Sequence, residues 1–272
     1  MLIPHEVETL KQKEPFANYI LIGLTIVTYI VTGVGFGPRE SMILRDFSPF
    51  SLVAYQFMHG SFWHIVMNMI VLWVFGNAIC SNTNNLLYPV AYVLLGVLAG
   101  SIHLATDGGP VIGASGSICG IIGLYLAMYP RNYIRCVWFA SAMARGAFKM
   151  RGQTLIVMWF LTDLMIALSG GAGRVAYWSH IGGYIGGFVT GIVLLHGGVV
   201  SMTRFDNPTV LDLITKTGRR KTDQEPSGTG MFDCEHCGAS LETAPEEKPG
   251  DSVTCPSCGE ELVVPAVPQG EA

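Results

Sequence analysis

Apolar residues along the 272-residue chain gather into six blocks separated by short polar stretches. The blocks run approximately Ala17–Phe36, Phe62–Ile79, Leu86–Thr106, Ser115–Tyr129, Thr154–Leu168 and Tyr177–Leu195. A hydrocarbon layer about 30 Å thick is crossed by about 20 apolar residues in helical form. The pattern therefore predicts six membrane-spanning helices, with the fourth and fifth shorter than the rest. Beyond Gly198 the apolar blocks stop, and the chain becomes polar, charged and broken by Pro and Gly. The expected organisation is a six-span membrane domain over residues 1–198, a linker over 199–230 and a small module over 231–265.

Composition agrees with this pattern. Half of the residues are hydrophobic and only 13% are charged. The mean hydropathy of +0.43 excludes an ordinary water-soluble domain. The stretch before the first block, "MLIPHEVETLKQKEPF", is acidic as well as basic, and no small-residue cleavage site follows it, so the first block reads as a retained span. Basic residues set the orientation, because short translocated loops lack Lys and Arg. With the N-terminus inside, thirteen of the sixteen basic residues are cytoplasmic and only Arg39, Arg45 and Arg174 lie outside. Six spans then place the C-terminus inside as well. The net charge of −4 averages segments on both sides of a membrane, and no nucleic-acid partner is expected. No internal repeat is visible. The default location is a bacterial plasma membrane.

The tail carries "CEHCG" and "CPSCG", with seventeen residues between Cys237 and Cys255. Two CxxC pairs at this separation have the spacing of a zinc ribbon. Cys234, Cys237, Cys255 and Cys258 are expected to hold one structural Zn²⁺ tetrahedrally; catalytic zinc keeps a position open for water. A pair of disulfides is the alternative, but a cytosolic tail stays reduced. Such a module would dock a cytosolic partner or simply cap the tail. His236 is expected to be solvent-exposed. Cys80, Cys119 and Cys136 lack ligand spacing and read as apolar filler.

Polar groups inside hydrocarbon are costly and point to function. The candidates are His64, Asn68, His103, Ser115, Asp163 and His180. In the expected topology the second, fourth and sixth spans enter from the outer face, with His64 and Asn68, Ser115, and His180 in their opening turns. His64 and Asn68 are four apart and share a helical face. A serine hydroxyl becomes a nucleophile when a hydrogen-bonded base takes its proton, which a neutral histidine can do near pH 7. Ser115 is thus a candidate nucleophile and His180 its base. Asn68, His64 and the Ser115 N–H are candidate donors to an oxyanion. Gly116, Gly120 and Gly123, with Gly183 and Gly187, leave bare helix faces on which two backbones can approach. Taken singly, each has a plainer reading: a serine between glycines as packing, a membrane histidine bonded to a neighbour. For Asp163, an interhelical polar contact is preferred over orientation of His180. His103 and His196 read as interfacial.

These motifs resemble those of the rhomboid intramembrane serine proteases, over roughly Ala17–Leu195. "GASG" at 113–116 is similar to the family's GxSG, "HIGGYIGG" at 180–187 to its HxxGxxxG, and "HGSFWHIVMN" at 59–68 to its His-x4-His-x3-Asn. The resemblance implies an all-α, six-helix polytopic bundle and a Ser115–His180 dyad without a catalytic acid. It also implies oxyanion roles for His64 and Asn68, and structural roles for His59 and for the motif glycines Gly113, Gly116, Gly183 and Gly187. Single-span membrane proteins would be cleaved near the outer face, without a catalytic cofactor. The chain departs from the family pattern in the first external loop, where Phe50 and Ser51 replace a Trp-Arg pair, and at Cys119, where an aromatic often backs the base. A rhomboid-like pseudoprotease that binds membrane clients without cutting them is one rival reading. A transporter built around the same polar cluster is another.

Overall fold

The computed structural model describes residues 2–7, 9, 13–33, 40–139, 145–170, 175–200, 208–215, 231–233, 240–242, 252–254 and 258–263. The chain divides into two compact units, Met1–Lys216 and Thr217–Ala272.

The first unit is mostly helical. Its elements are a strand β1 (Leu2–Val7), α1 (Phe16–Gly33), a short α2 (Pro49–Ala54) continued by a 3-10 turn (Tyr55–Phe57), α3 (Phe62–Val71), α4 (Asn77–Asn82), α5 (Leu87–Thr106) and α6 (Ser115–Met128). Strands β2 (Tyr133–Phe139) and β3 (Arg145–Arg151) follow, then α7 (Gly152–Leu168), α8 (Tyr177–His196) and α9 (Val210–Thr215). A π turn (Leu72–Gly76) joins α3 and α4 into one apolar helix, Phe62–Asn82. By length and composition this helix, α5 and α8 can each cross a membrane, while α1, α6 and α7 are shorter apolar helices.

The π turn has a visible cause. Asn18 Nδ2 donates to the Leu72 carbonyl at 3.1 Å and to Asn77 Oδ1 at 2.8 Å, and Tyr88 Oη donates to Asn18 Oδ1 at 2.6 Å. A widened turn frees a carbonyl that needs another donor, and the buried Asn18 supplies it.

Successive apolar helices alternate in direction, so their connections collect at two ends. At one end the Lys13 ammonium meets the Thr83 carbonyl, and Asn85 Nδ2 donates to the Glu14 carbonyl at 3.1 Å. At the other, the Leu44 N–H donates to Val111 across an isolated bridge, tying the segment before α2 to the one before α6.

An all-α description fails for residues 2–7 and 133–151, which form an antiparallel sheet in the order β1-β2-β3. The first four residues of "YIRCVWF" alternate: Ile134 and Cys136 are buried, while Tyr133 is exposed and Arg135 half-buried. That period of two is the strand signal. Pro4 has no N–H for the ladder, and the register slips between Pro4 and Glu6. Glu6 and Arg135 form an ion pair at 3.0 Å.

The helix α6 packs against α5, α7 and α8, most closely against α8. A Cβ on Gly183 would collide with the Gly116 carbonyl, and one on Gly187 with the Gly120 carbonyl. These contacts are backbone against backbone, the close approach that small residues permit. His103 lies in the last turn of α5. Its ring is buried and contacts the Gly109 carbonyl at 2.9 Å, so it ties down the turn after α5.

In the second unit, two antiparallel hairpins are described: β4 (Met231–Asp233) with β5 (Ser240–Glu242), and β6 (Ser252–Thr254) with β7 (Glu261–Val263).

Candidate active site

Ser115 is the first residue of α6, where the opening N–H groups have no intrahelical partners and the helix dipole is positive. The turn that delivers it depends on Gly113. This residue has φ +127°, its N–H donates to the Tyr55 carbonyl at 2.9 Å, and a Cβ there would lie 2.9 Å from the His64 ring. No other residue type combines that dihedral with that gap. His180 sits in the opening turn of α8. Because the glycine faces bring α6 and α8 together, His180 Nε2 lies 2.9 Å from Ser115 Oγ.

Helix α3 starts at the same end. The Ser61 hydroxyl accepts from the His64 N–H at 3.2 Å and caps the helix. One turn on, Asn68 is buried beside Ser115 and His180 in a cleft of about 300 Å³. Asn68 Nδ2 is buried without a hydrogen-bond partner among the described residues. A buried donor with no acceptor costs about 1–3 kcal/mol, which a ligand oxygen would offset. His59 is buried against His64, with ring centroids 4.8 Å apart and edge-on. Burial first, and the neighbouring His64 second, push the His59 imidazole down to about 4.

The cleft is also lined by Pro4, Met67, Cys119, Trp159, Asp163 and Tyr184. Asp163 does make an interhelical contact, but with the base itself: its Oδ2 lies 3.0 Å from His180 Nδ1. Asp163 is five residues before the end of α7 and His180 three after the start of α8, depths of about 7.5 and about 4.5 Å at 1.5 Å per residue. In an antiparallel pair those depths face each other. Cys119 is buried and lines the same cleft, and the Tyr177 ring stands edge-on to His180 at 6.1 Å between centroids.

Phe50 is exposed, and Ser51 bonds within its own turn, donating to the Ser48 carbonyl at 3.1 Å. Anchorage of the first loop falls instead to two residues that sequence reasoning passed over. Tyr55 Oη donates to the Gly96 carbonyl at 2.7 Å, and Gln56 accepts from Ser117 Oγ at 3.0 Å. Both side chains are fully buried. Their sequence signal is slight, a Tyr-Gln pair shortly before His59. A larger apolar groove of about 650 Å³, walled by α1 and α3, has His5 at its edge and no nucleophile.

Of the expected zinc ligands, Cys234, Cys237 and Cys255 lie outside the described residues, as does His236; Cys258 is described and exposed. No group of three or more metal-ligating side chains occurs among the described residues.

A rhomboid-domain family model matches residues 46–197, more than half of the chain. The chain belongs to the rhomboid family. It is similar to the mitochondrial Rhomboid protein 1 of Saccharomyces cerevisiae, 25% identical over 64% of this chain and 51% of that protein. It is similar to RHOMBOID-like protein 5 of Arabidopsis thaliana, 27% identical over 67% of this chain and 54% of that protein. The Rhomboid protease GluP of Bacillus subtilis is 23% identical over 70% of this chain and 37% of its own length. The chain thus spans about half the length of the first two relatives and less of the third. Rhomboid membership and the apolar helices together make this an integral membrane protein. Relatives from a mitochondrion and a plant do not favour the bacterial membrane expected from the sequence.

Proposed function

We propose that this rhomboid is an intramembrane serine endopeptidase that cleaves single-span membrane proteins near the outer face. The observation that carries the proposal is the 2.9 Å contact between Ser115 Oγ and His180 Nε2 in a cleft that also holds the unpartnered Asn68 amide. In this reading Ser115 Oγ attacks the scissile carbonyl carbon while its proton passes to His180 Nε2. The oxyanion is held by Asn68 Nδ2, His64 and the N–H groups opening α6. The intermediate collapses, the amide C–N bond breaks and His180 protonates the leaving amine. Water, deprotonated by the same imidazole, then hydrolyses the acyl-enzyme. Helical peptide carbonyls are engaged in their own hydrogen bonds, so the substrate is a transmembrane segment loosened by Gly or Pro.

The six apolar helices are proposed as six spans, with both termini cytoplasmic. The distribution of basic residues supports that orientation. The sheet joining β1, which precedes α1, to β2 and β3 between α6 and α7 supports an even number of crossings between those two segments. For the tail, the proposal is a zinc ribbon that recruits a cytosolic partner. Each CxxC falls between the two paired strands of a hairpin, as a metal knuckle requires. Metal analysis of the purified full chain is expected to give one zinc per chain, reduced in Cys255→Ser; a metal-free wild type contradicts the ribbon.

The function is tested by co-reconstituting the protein with a panel of single-span proteins carrying Gly or Pro in their membrane segments. Cleavage by wild type and none by Ser115→Ala or His180→Ala is the expected result. Capture of the same proteins without cleavage would favour a client-binding rhomboid that does not cut.

A further inference from the structure

We propose that Asp163 is a positioning residue that fixes the proton of His180, making the machinery a Ser115–His180–Asp163 relay rather than a dyad. The inference rests on the protease reading above.

An ionised carboxylate only accepts hydrogen bonds, so at 3.0 Å from Asp163 Oδ2 the His180 Nδ1 must carry a proton. A neutral imidazole with its proton on Nδ1 has a bare Nε2, and that atom faces Ser115 Oγ at 2.9 Å. The serine hydroxyl is then the donor, poised to give up the proton that activates it. Without the carboxylate, either tautomer could form, and the one with a proton on Nε2 cannot act as base.

The surroundings make the assignment specific. Both side chains are largely withdrawn from solvent, with 14% of His180 and 18% of Asp163 exposed. Among the described residues the cleft lining contains no Lys or Arg; beside Asp163 and His180 it presents Asn68, Ser115, Thr162, Cys119, Tyr184 and apolar groups. A carboxylate in such a place is costly unless paired. The structure gives it the imidazole as partner, on the nitrogen opposite the nucleophile. When Ser115 transfers its proton, the resulting imidazolium sits against a negative charge in a medium of low dielectric, where that charge acts most strongly. Helix geometry holds the pair in register, because α7 and α8 are sequential neighbours and α8 is pinned to α6 through Gly183 and Gly187.

The experiment has two arms on the full chain in lipid nanodiscs. The first uses ¹⁵N-histidine labelling and NMR of the wild type near neutral pH, with His180 assigned by loss of its signals in His180→Ala. The expected result is a proton on Nδ1 and none on Nε2, with the pattern lost in Asp163→Asn. A wild-type proton on Nε2 overturns the proposal. The second arm measures the rate of fluorophosphonate labelling. Asp163→Asn is expected to label about 10²- to 10⁴-fold more slowly than wild type, with partial recovery in Asp163→Glu. Labelling of Asp163→Asn within threefold of wild type overturns the proposal. If wild type itself does not label while Nδ1 carries the proton, the protease reading fails and the assignment of Asp163 stands. The tautomer of the wild type needs no variant, so misfolding of Asp163→Asn leaves that arm intact.

Discussion

At the scale of single residues, the site is a set of polar atoms held short of full satisfaction. Asn68 Nδ2 is the clearest case, a buried donor beside Ser115 that awaits an acceptor. Under the proposed mechanism, Asn68→Ala removes an oxyanion donor and is expected to lower turnover about 10²- to 10³-fold. The fold should persist, since no described hydrogen bond is lost from that atom. Steady-state cleavage beside a thermal melt checks both halves. His59 makes a different prediction. Its imidazole is held down to about 4 by burial and by His64, against about 6.5 in an unfolded chain. The folded state therefore disfavours the charged form, and the associated stability is present above pH 6.5 and lost as pH falls through 4. Melting temperature should drop across that window and drop less steeply in His59→Gln. Equal slopes in the two proteins would remove His59 from this role. The proximity of Ser115, His180 and Asn68 was legible in the sequence, because motif spacing and a common depth predicted it. The contact of Asp163 with His180 was not, since it depends on where α7 ends and α8 begins. Tyr55 and Gln56 were missed for a related reason: what they bond to is backbone and side chain of other helices, and periodicity says nothing about partners.

At the scale of elements, α6 and α8 determine the rest. Their contact is made of glycines, and the Ser115–His180 distance depends on it. In Gly187→Ala, a Cβ would meet the Gly120 carbonyl with no flexible side chain to yield. The expected cost is about 1–3 kcal/mol of stability, with separation of Ser115 from His180 and a marked loss of activity. Gly23→Ala in α1 is the matched control, because nothing lies within 4 Å of a Cβ there. It should be neutral or stabilising by up to about 1 kcal/mol. Equal effects of the two substitutions, read by melting temperature and activity, would show that close backbone approach is not what limits the α6–α8 contact. Apolar periodicity located the six helices well, since long apolar runs leave little choice of structure. It did not locate the β1-β2-β3 sheet. Residues 133–136 alternate, but the partner that completes the pairing is the N-terminal segment more than a hundred residues away.

At the scale of the whole molecule, alternating helix directions place Ser115, His180 and Asn68 together in a cleft that Pro4 of β1 also lines. The proposed hydrolysis is compatible with lipid surroundings, because the helices bury their own backbone groups while the opening turns of α3, α6 and α8 carry polar ones. The central claim is that Ser115 is an activated nucleophile. The measurement that tests it most directly is fluorophosphonate labelling of the full chain in lipid, with the modified residue mapped by mass spectrometry. The account predicts one adduct, on Ser115, absent from Ser115→Ala and His180→Ala. No adduct on folded wild type, in lipid in which another rhomboid protease is labelled, or an adduct that survives His180→Ala, would contradict it.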